Sequence, residues 1–159
     1  MKNLTPFEER AYKWMAKRGP ILLRISIGIV FFWFGIQKFF PGVSSAEELA
    51  TRTIEVLTFG LMGQAISMPL LAAWEVLIGI LFVFGIWMRI AIPLLFLQMI
   101  GTFMPLFFFP AETFLPPPLI PTIIGQYIIK NIIIITGAMV VGAYYMKLEI
   151  KLDKEKMEE

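Results

Sequence analysis

Four stretches, 21–40, 68–88, 90–110 and 122–146, are long and almost uncharged. Coiled as helices, runs of about 20 residues match the hydrocarbon thickness of a bilayer. No water is available there to satisfy backbone N–H and C=O groups, so such runs must be helical and must pack against one another. The expectation is an all-α fold, a four-transmembrane-helix bundle with short amphipathic surface helices. Composition agrees, with 58% hydrophobic and 16% charged residues and a mean hydropathy of +0.76; soluble domains carry about 25% charged residues. The 159 residues suit one domain.

The chain has no Cys and no His. Without Cys there is no disulfide, iron–sulfur ligation or thiol relay. Without His the usual haem, copper and zinc ligands are missing, and a Ser–His or Cys–His catalytic pair is impossible. No metal site and no intrinsic cofactor are expected, and catalysis by the chain on its own is not expected. The net charge of +2 is too small to suggest nucleic acid as a partner.

Thr5-Pro6-Phe7-Glu8 has the pattern of a capping box with Pro at the first helical position. Phe7, Ala11 and Trp14 then recur at helical spacing among Arg10, Lys13, Lys17 and Arg18. That suggests a short basic helix at the headgroup level, ended by Gly19-Pro20. A basic helix ahead of the apolar run, with no A-x-A site after it, is unlike a secretory signal.

In the first span Arg24, Gly28, Phe31, Gly35 and Lys38 share a face. The glycines allow close helix approach, and the two cations either snorkel to headgroups or turn into the bundle. Ser44 and Ser45 stand three residues before Glu47 and Glu48, as overlapping capping boxes. The short amphipathic helix that follows would have Ala50, Ile54, Leu57 and Leu61 as its apolar stripe. Pro105 should kink the third span, whose polar and small face holds Gln98, Gly101, Thr102 and Pro105. Residues 110–121 contain five prolines and Glu112, a stiff, extended loop suited to capping the outer mouth. In the fourth span Gln126 and Lys130 are one turn apart, and Ala138 and Gly142 form a small-xxx-small pair. Tyr144 and Tyr145 suit an aromatic belt.

Lys and Arg concentrate before residue 20, at Arg89 and after residue 146. The other two loops hold Arg52 against Glu47, Glu48, Glu55 and Glu112. The positive-inside rule then places both termini in the cytoplasm. The chain divides into a cytoplasmic amphipathic segment (1–19), the four-helix domain (20–146) and a charged cytoplasmic tail (147–159).

Glu75 is the only carboxylate inside any of the four runs. An ionised carboxylate in hydrocarbon costs about 2.5 kcal/mol or more, so it needs a partner, water or a ligand. Glu75 and Lys130 lie seven and eight residues from the outer ends of spans that run the same way. Matching depth therefore makes Lys130 the expected partner, with Lys38 second. Such a pair either fixes helix register or handles a ligand or proton.

LLRISIGIVFFWFGIQKFFPG resembles the opening helix of the DoxX-like membrane proteins, in which an Arg, a Gly and a G-x-x-K-F end recur. WEVLIGILFVFGIWMR resembles their second helix, with E-x-x-x-G and a later Gly before a basic residue. TFMPLFFFPAETF and GQYIIKNIIIITGAMVVGA are similar to the YkgB-like branch, which contains the inner-membrane reactive-chlorine-resistance protein. The resemblance covers about 20–143 and rests on four motifs in order. It implies a four-helix, multi-pass protein of the bacterial cytoplasmic (inner) membrane. The recurring polar residues of the family fall on Arg24, Lys38, Glu75, Pro105, Glu112, Gln126 and Lys130. Some DoxX-like proteins are linked to oxidative-stress protection, and the related DoxD type is a subunit of a thiosulfate:quinone oxidoreductase.

The site residues expected are Glu75, Lys130, Lys38, Arg24, Gln126, Gln98 and Glu112, as charge-pair or ligand-binding groups. The expected function is binding of a small apolar or anionic molecule, a quinone or a lipid, in an outward-leaning polar pocket. An accessory subunit of a quinone-linked membrane oxidoreductase and a small transporter or proton pathway are the alternatives. The expected partners are the lipid bilayer, a membrane oxidoreductase subunit and a second copy of the chain.

Overall fold

The computed structural model describes residues 5–116 and 120–157, with side chains to residue 147. The first helix, α1 (Pro6–Gln37), begins at the capping box. The Thr5 hydroxyl accepts from the Glu8 N–H at 3.3 Å, and the Glu8 carboxylate accepts from the Thr5 N–H at 2.8 Å. The expected break at Gly19-Pro20 does not occur, since α1 runs through Pro20 for 32 residues. A proline removes one intrahelical donor. Ala16, whose carbonyl Pro20 leaves unpaired, is exposed, so water can satisfy it. At about 1.5 Å per residue the rod is about 48 Å long, well beyond a hydrocarbon core of about 30 Å.

The short helix α2 (Glu47–Leu57) forms, but neither Ser44 nor Ser45 caps it; its N-cap is Ala46, which offers no side-chain bond. Its expected stripe turns inward only in part. Ala50 and Ile54 are half-buried beside the buried Thr51 and Thr53, whereas Leu57 is exposed and Leu61, past the end of the helix, is 83% exposed.

Then come α3 (Gln64–Phe84) and α4 (Met88–Phe103), joined by a tight turn with Gly85 at φ +69° and Trp87 at φ +49°. The third span breaks where Pro105 predicts: α4 stops at Phe103 and α5 (Pro105–Phe108) restarts on the proline. The described part of the proline-rich loop, which leaves out 117–119, is more than a bare extended linker. It holds a helical turn, α6 (Pro110–Thr113), and a two-residue antiparallel pair, β1 (Phe114–Leu115) with β2 (Ile120–Pro121). The fourth span is interrupted at Lys130-Asn131, which nothing in its apolar pattern announces. α7 (Ile123–Ile129) ends there and α8 (Ile132–Met157) begins, continuing into the charged tail.

Four segments are long and apolar enough to cross a membrane: Pro6–Gln37, Gln64–Phe84, Met88–Phe108 and Ile123–Lys147. The fold is thus the expected all-α four-helix bundle. α1 packs on α3 and α8, and α4 packs on α3 and α8, so the four form a ring. Ile78, Phe82, Leu95 and Val141 fill its centre. Trp33, Leu77, Leu97 and Ile133 face outward, as lipid contact allows.

The α1–α3 seam is the closest. A methyl at Gly28 would lie 2.6 Å from the Val83 nitrogen, and one at Gly79 2.5 Å from the Phe32 nitrogen. No side chain separates these backbones, which is the packing that small residues permit between membrane helices.

Candidate functional site

Glu75 lies on the inner face of α3 with Ala72 and Gly79. Opposite it on α1 is Gly35, where a methyl would sit 2.9 Å from the Glu75 Cβ. One turn further along the same α1 face is Lys38. Its ammonium donates to Glu75 Oε2 at 2.6 Å and to the Phe34 carbonyl at 3.4 Å. The Gln98 amide of α4 donates to Glu75 Oε1 at 2.9 Å. Both carboxylate oxygens therefore have a donor, and the Lys38 and Glu75 side chains are only 8% and 11% exposed. Three helices converge on one carboxylate. The pair is neutral overall, as a buried ionic contact must be to persist in apolar surroundings.

Lys130 is not the partner. Its ammonium lies over the Tyr127 ring, 3.7 Å from the centroid, on the exposed side of α7. Direction on the helix is the reason. The buried positions of α7 are Gly125 and Ile128, and two residues beyond Ile128 is a rotation of about 200°.

The remaining expected residues are dispersed. Arg24 is buried at the other end of the α1–α3 seam, where its guanidinium donates to the Phe82 and Val83 carbonyls at 2.6 and 3.1 Å. It caps the C-terminus of α3, a favourable place for a cation, and faces the Tyr145 ring at 5.6 Å. Gln126 bonds the Pro121 carbonyl at 3.3 Å. Glu112 forms a two-pronged pair with Arg52, at 2.8 and 3.1 Å, and Arg52 stacks 4.2 Å from the centroid of Phe109. The hydrogen bond to Glu112 pushes the Arg52 pKa up. This pair ties α2 to α6.

Beside Lys38 is a cavity of about 360 Å³. Phe39, Met68 and Pro69 supply apolar wall, and Lys38, Glu47 and Gln64 supply polar groups. Glu47, expected only as a capping residue, instead accepts from the Gly42 N–H at 2.7 Å and from the Gln64 amide at 2.6 Å. Glu47 and Gln64 had no signal in the sequence as site residues, since each reaches the cavity through the turn on either side of α2. Lys38 has three N–H donors, of which the contacts among described residues occupy two. The arrangement can hold a ligand oxygen at Lys38 and an apolar body against the wall. No group of three Cys, His, Asp or Glu side chains among the described residues is placed to hold a metal.

Comparison with curated proteins gives no match, and comparison with solved structures gives none. A family model, DoxX, matches residues 19–110, more than half of the chain. That range includes the α1–α3 seam, Lys38, Glu75, Gln98 and the cavity residues. The chain is a multi-pass membrane protein, and it belongs to the DoxX family.

Proposed function

We propose that this protein binds a small, largely apolar molecule carrying an oxygen acceptor, a quinone or a lipid, in the cavity beside Lys38. The observation that supports this most is that Lys38, which has one N–H not taken up among the described residues, lines an apolar-walled cavity of about 360 Å³, within the usual size range of small-molecule sites. Glu75, itself held by Gln98, holds the ammonium in place, so binding needs no new buried charge. On this reading both termini are cytoplasmic, the cavity opens toward the outer face of a bacterial inner membrane, and the chain sits in the YkgB-like branch with a role in oxidative-stress protection. Any electrons would come from a partner or from the bound molecule, because the chain has no Cys or His.

Mass spectrometry of protein extracted in mild detergent tests the proposal. A stoichiometric quinone or lipid is expected on the wild type and is lost from the Lys38→Met/Glu75→Gln double variant, which removes the donor without stranding a charge. Equal retention by both proteins, or none by either, would overturn it.

A transport reading draws on a separate observation, the interruptions at Met104 and at Lys130-Asn131. Discontinuous helices often line permeation sites. Proton flux in liposomes that survives Glu75→Gln would remove Glu75 from such a path.

A further inference from the structure

The charges around the cavity are not balanced. The positive charge of Lys38 is matched by Glu75 at 2.6 Å. Among the described residues, the negative charge of Glu47 meets only neutral donors, the Gly42 N–H and the Gln64 amide. Lys38 and Glu47 are the charged residues of the cavity lining. A purely anionic ligand would meet a donor at Lys38 but repulsion from Glu47. An uncharged one would leave the Glu47 carboxylate as it is. A molecule with an anionic oxygen at one point and a cation a few bonds away complements both groups at once.

The structure thus points to a headgroup, and we propose that the cavity is a site for a phospholipid bearing a primary ammonium. A phosphate oxygen accepts from the free Lys38 N–H, and the ammonium donates to Glu47, displacing the Gln64 amide. A primary ammonium is favoured over a quaternary one because only the former has N–H groups to donate. The acyl chains leave past Phe39 and Ile66, both exposed on the outside of the bundle. The inference rests on the cavity beside Lys38 being a ligand site, and it names the ligand.

The test is native mass spectrometry of the full-length protein in detergent micelles. Equal amounts of dioleoyl phosphatidylethanolamine, phosphatidylcholine and phosphatidylglycerol are offered together. Wild type is expected to retain the ethanolamine lipid over the glycerol lipid by about threefold to fivefold, the range an accessible ion pair supplies, with the choline lipid between. In Glu47→Gln the preference should fall to near parity, because the ethanolamine lipid loses its anionic partner. Glu47 is near the surface, at the first position of α2, so this variant keeps the fold.

Equal retention of the three lipids by wild type, with binding lost in Lys38→Met/Glu75→Gln, would overturn the ammonium assignment and leave the cavity as a lipid site. Retention of an added ubiquinone analogue in place of any lipid would do the same and identify a quinone site. Loss of all specific binding would overturn both proposals.

Discussion

Lys38 and Glu75 meet at 2.6 Å across the α1–α3 seam, one helical turn from Gly35, whose missing side chain lets the Glu75 stem approach α1. The glycine and the ion pair are one device. Without the close approach, the ammonium would have to span a wider gap between the helices.

Removing one partner strands the other in an apolar interior. Lys38→Met and Glu75→Gln are each expected to destabilise the bundle by about 3 kcal/mol. The double variant should recover most of that loss. Thermal unfolding in detergent of all four proteins forms the cycle, and additive losses would mean that the two side chains do not interact.

At Gly79 a methyl would lie 2.5 Å from the Phe32 nitrogen, a backbone atom that cannot step aside. Gly79→Ala should therefore cost about 1–3 kcal/mol, as overpacking does. Gly101, with open space around it, is the control. Gly101→Ala should match wild type or exceed it slightly in the same melt, because alanine favours helix more than glycine.

Two glycines in the left-handed region separate strain from collision. Gly42 (φ +78°) is in open space, so Gly42→Ala should cost only about 1 kcal/mol of backbone strain. Gly85 (φ +69°) backs onto the Arg24 guanidinium. Gly85→Ala adds displacement of Arg24 from the Phe82 and Val83 carbonyls, for about 2–3 kcal/mol in all. Equal melting points for the two variants would argue against the Arg24 cap.

The Glu8 carboxylate is held below its usual pKa, first by the Thr5 backbone N–H and then by the Thr5 hydroxyl. A folded-state pKa below the unfolded one means that this cap contributes fully above the ordinary glutamate range. The contribution is lost as pH falls through the lowered value. An NMR titration of the Thr5 amide shift should show a midpoint below that of an unstructured glutamate. Glu8→Gln should abolish the titration.

The helices, the contact-forming glycines and the α1 face carrying Lys38 follow from spacing alone. Gln98 does too, because it heads the polar face of its span. Choosing between Lys38 and Lys130 needed the rotation of α7 about its own axis. Depth does not contain that information, and a break such as that at Lys130-Asn131 resets the rotation of whatever follows it. Glu47 was hidden for a related reason. Its pattern with Ser44 is that of a cap, yet the turn at Gly42 brings the carboxylate back onto a backbone N–H and out to Gln64. Loop geometry, rather than periodicity, decides such contacts.

The continuity of α1 through Pro20 has a mechanical side. One unbroken secondary-structure element of 32 residues joins the exposed Phe7 to the Lys38–Glu75 contact. Pro20, which removes one intrahelical hydrogen bond, stands where the apolar run begins, so bending is eased there. The arm before it is the shorter one, and the arm that ends beside the buried carboxylate is the longer.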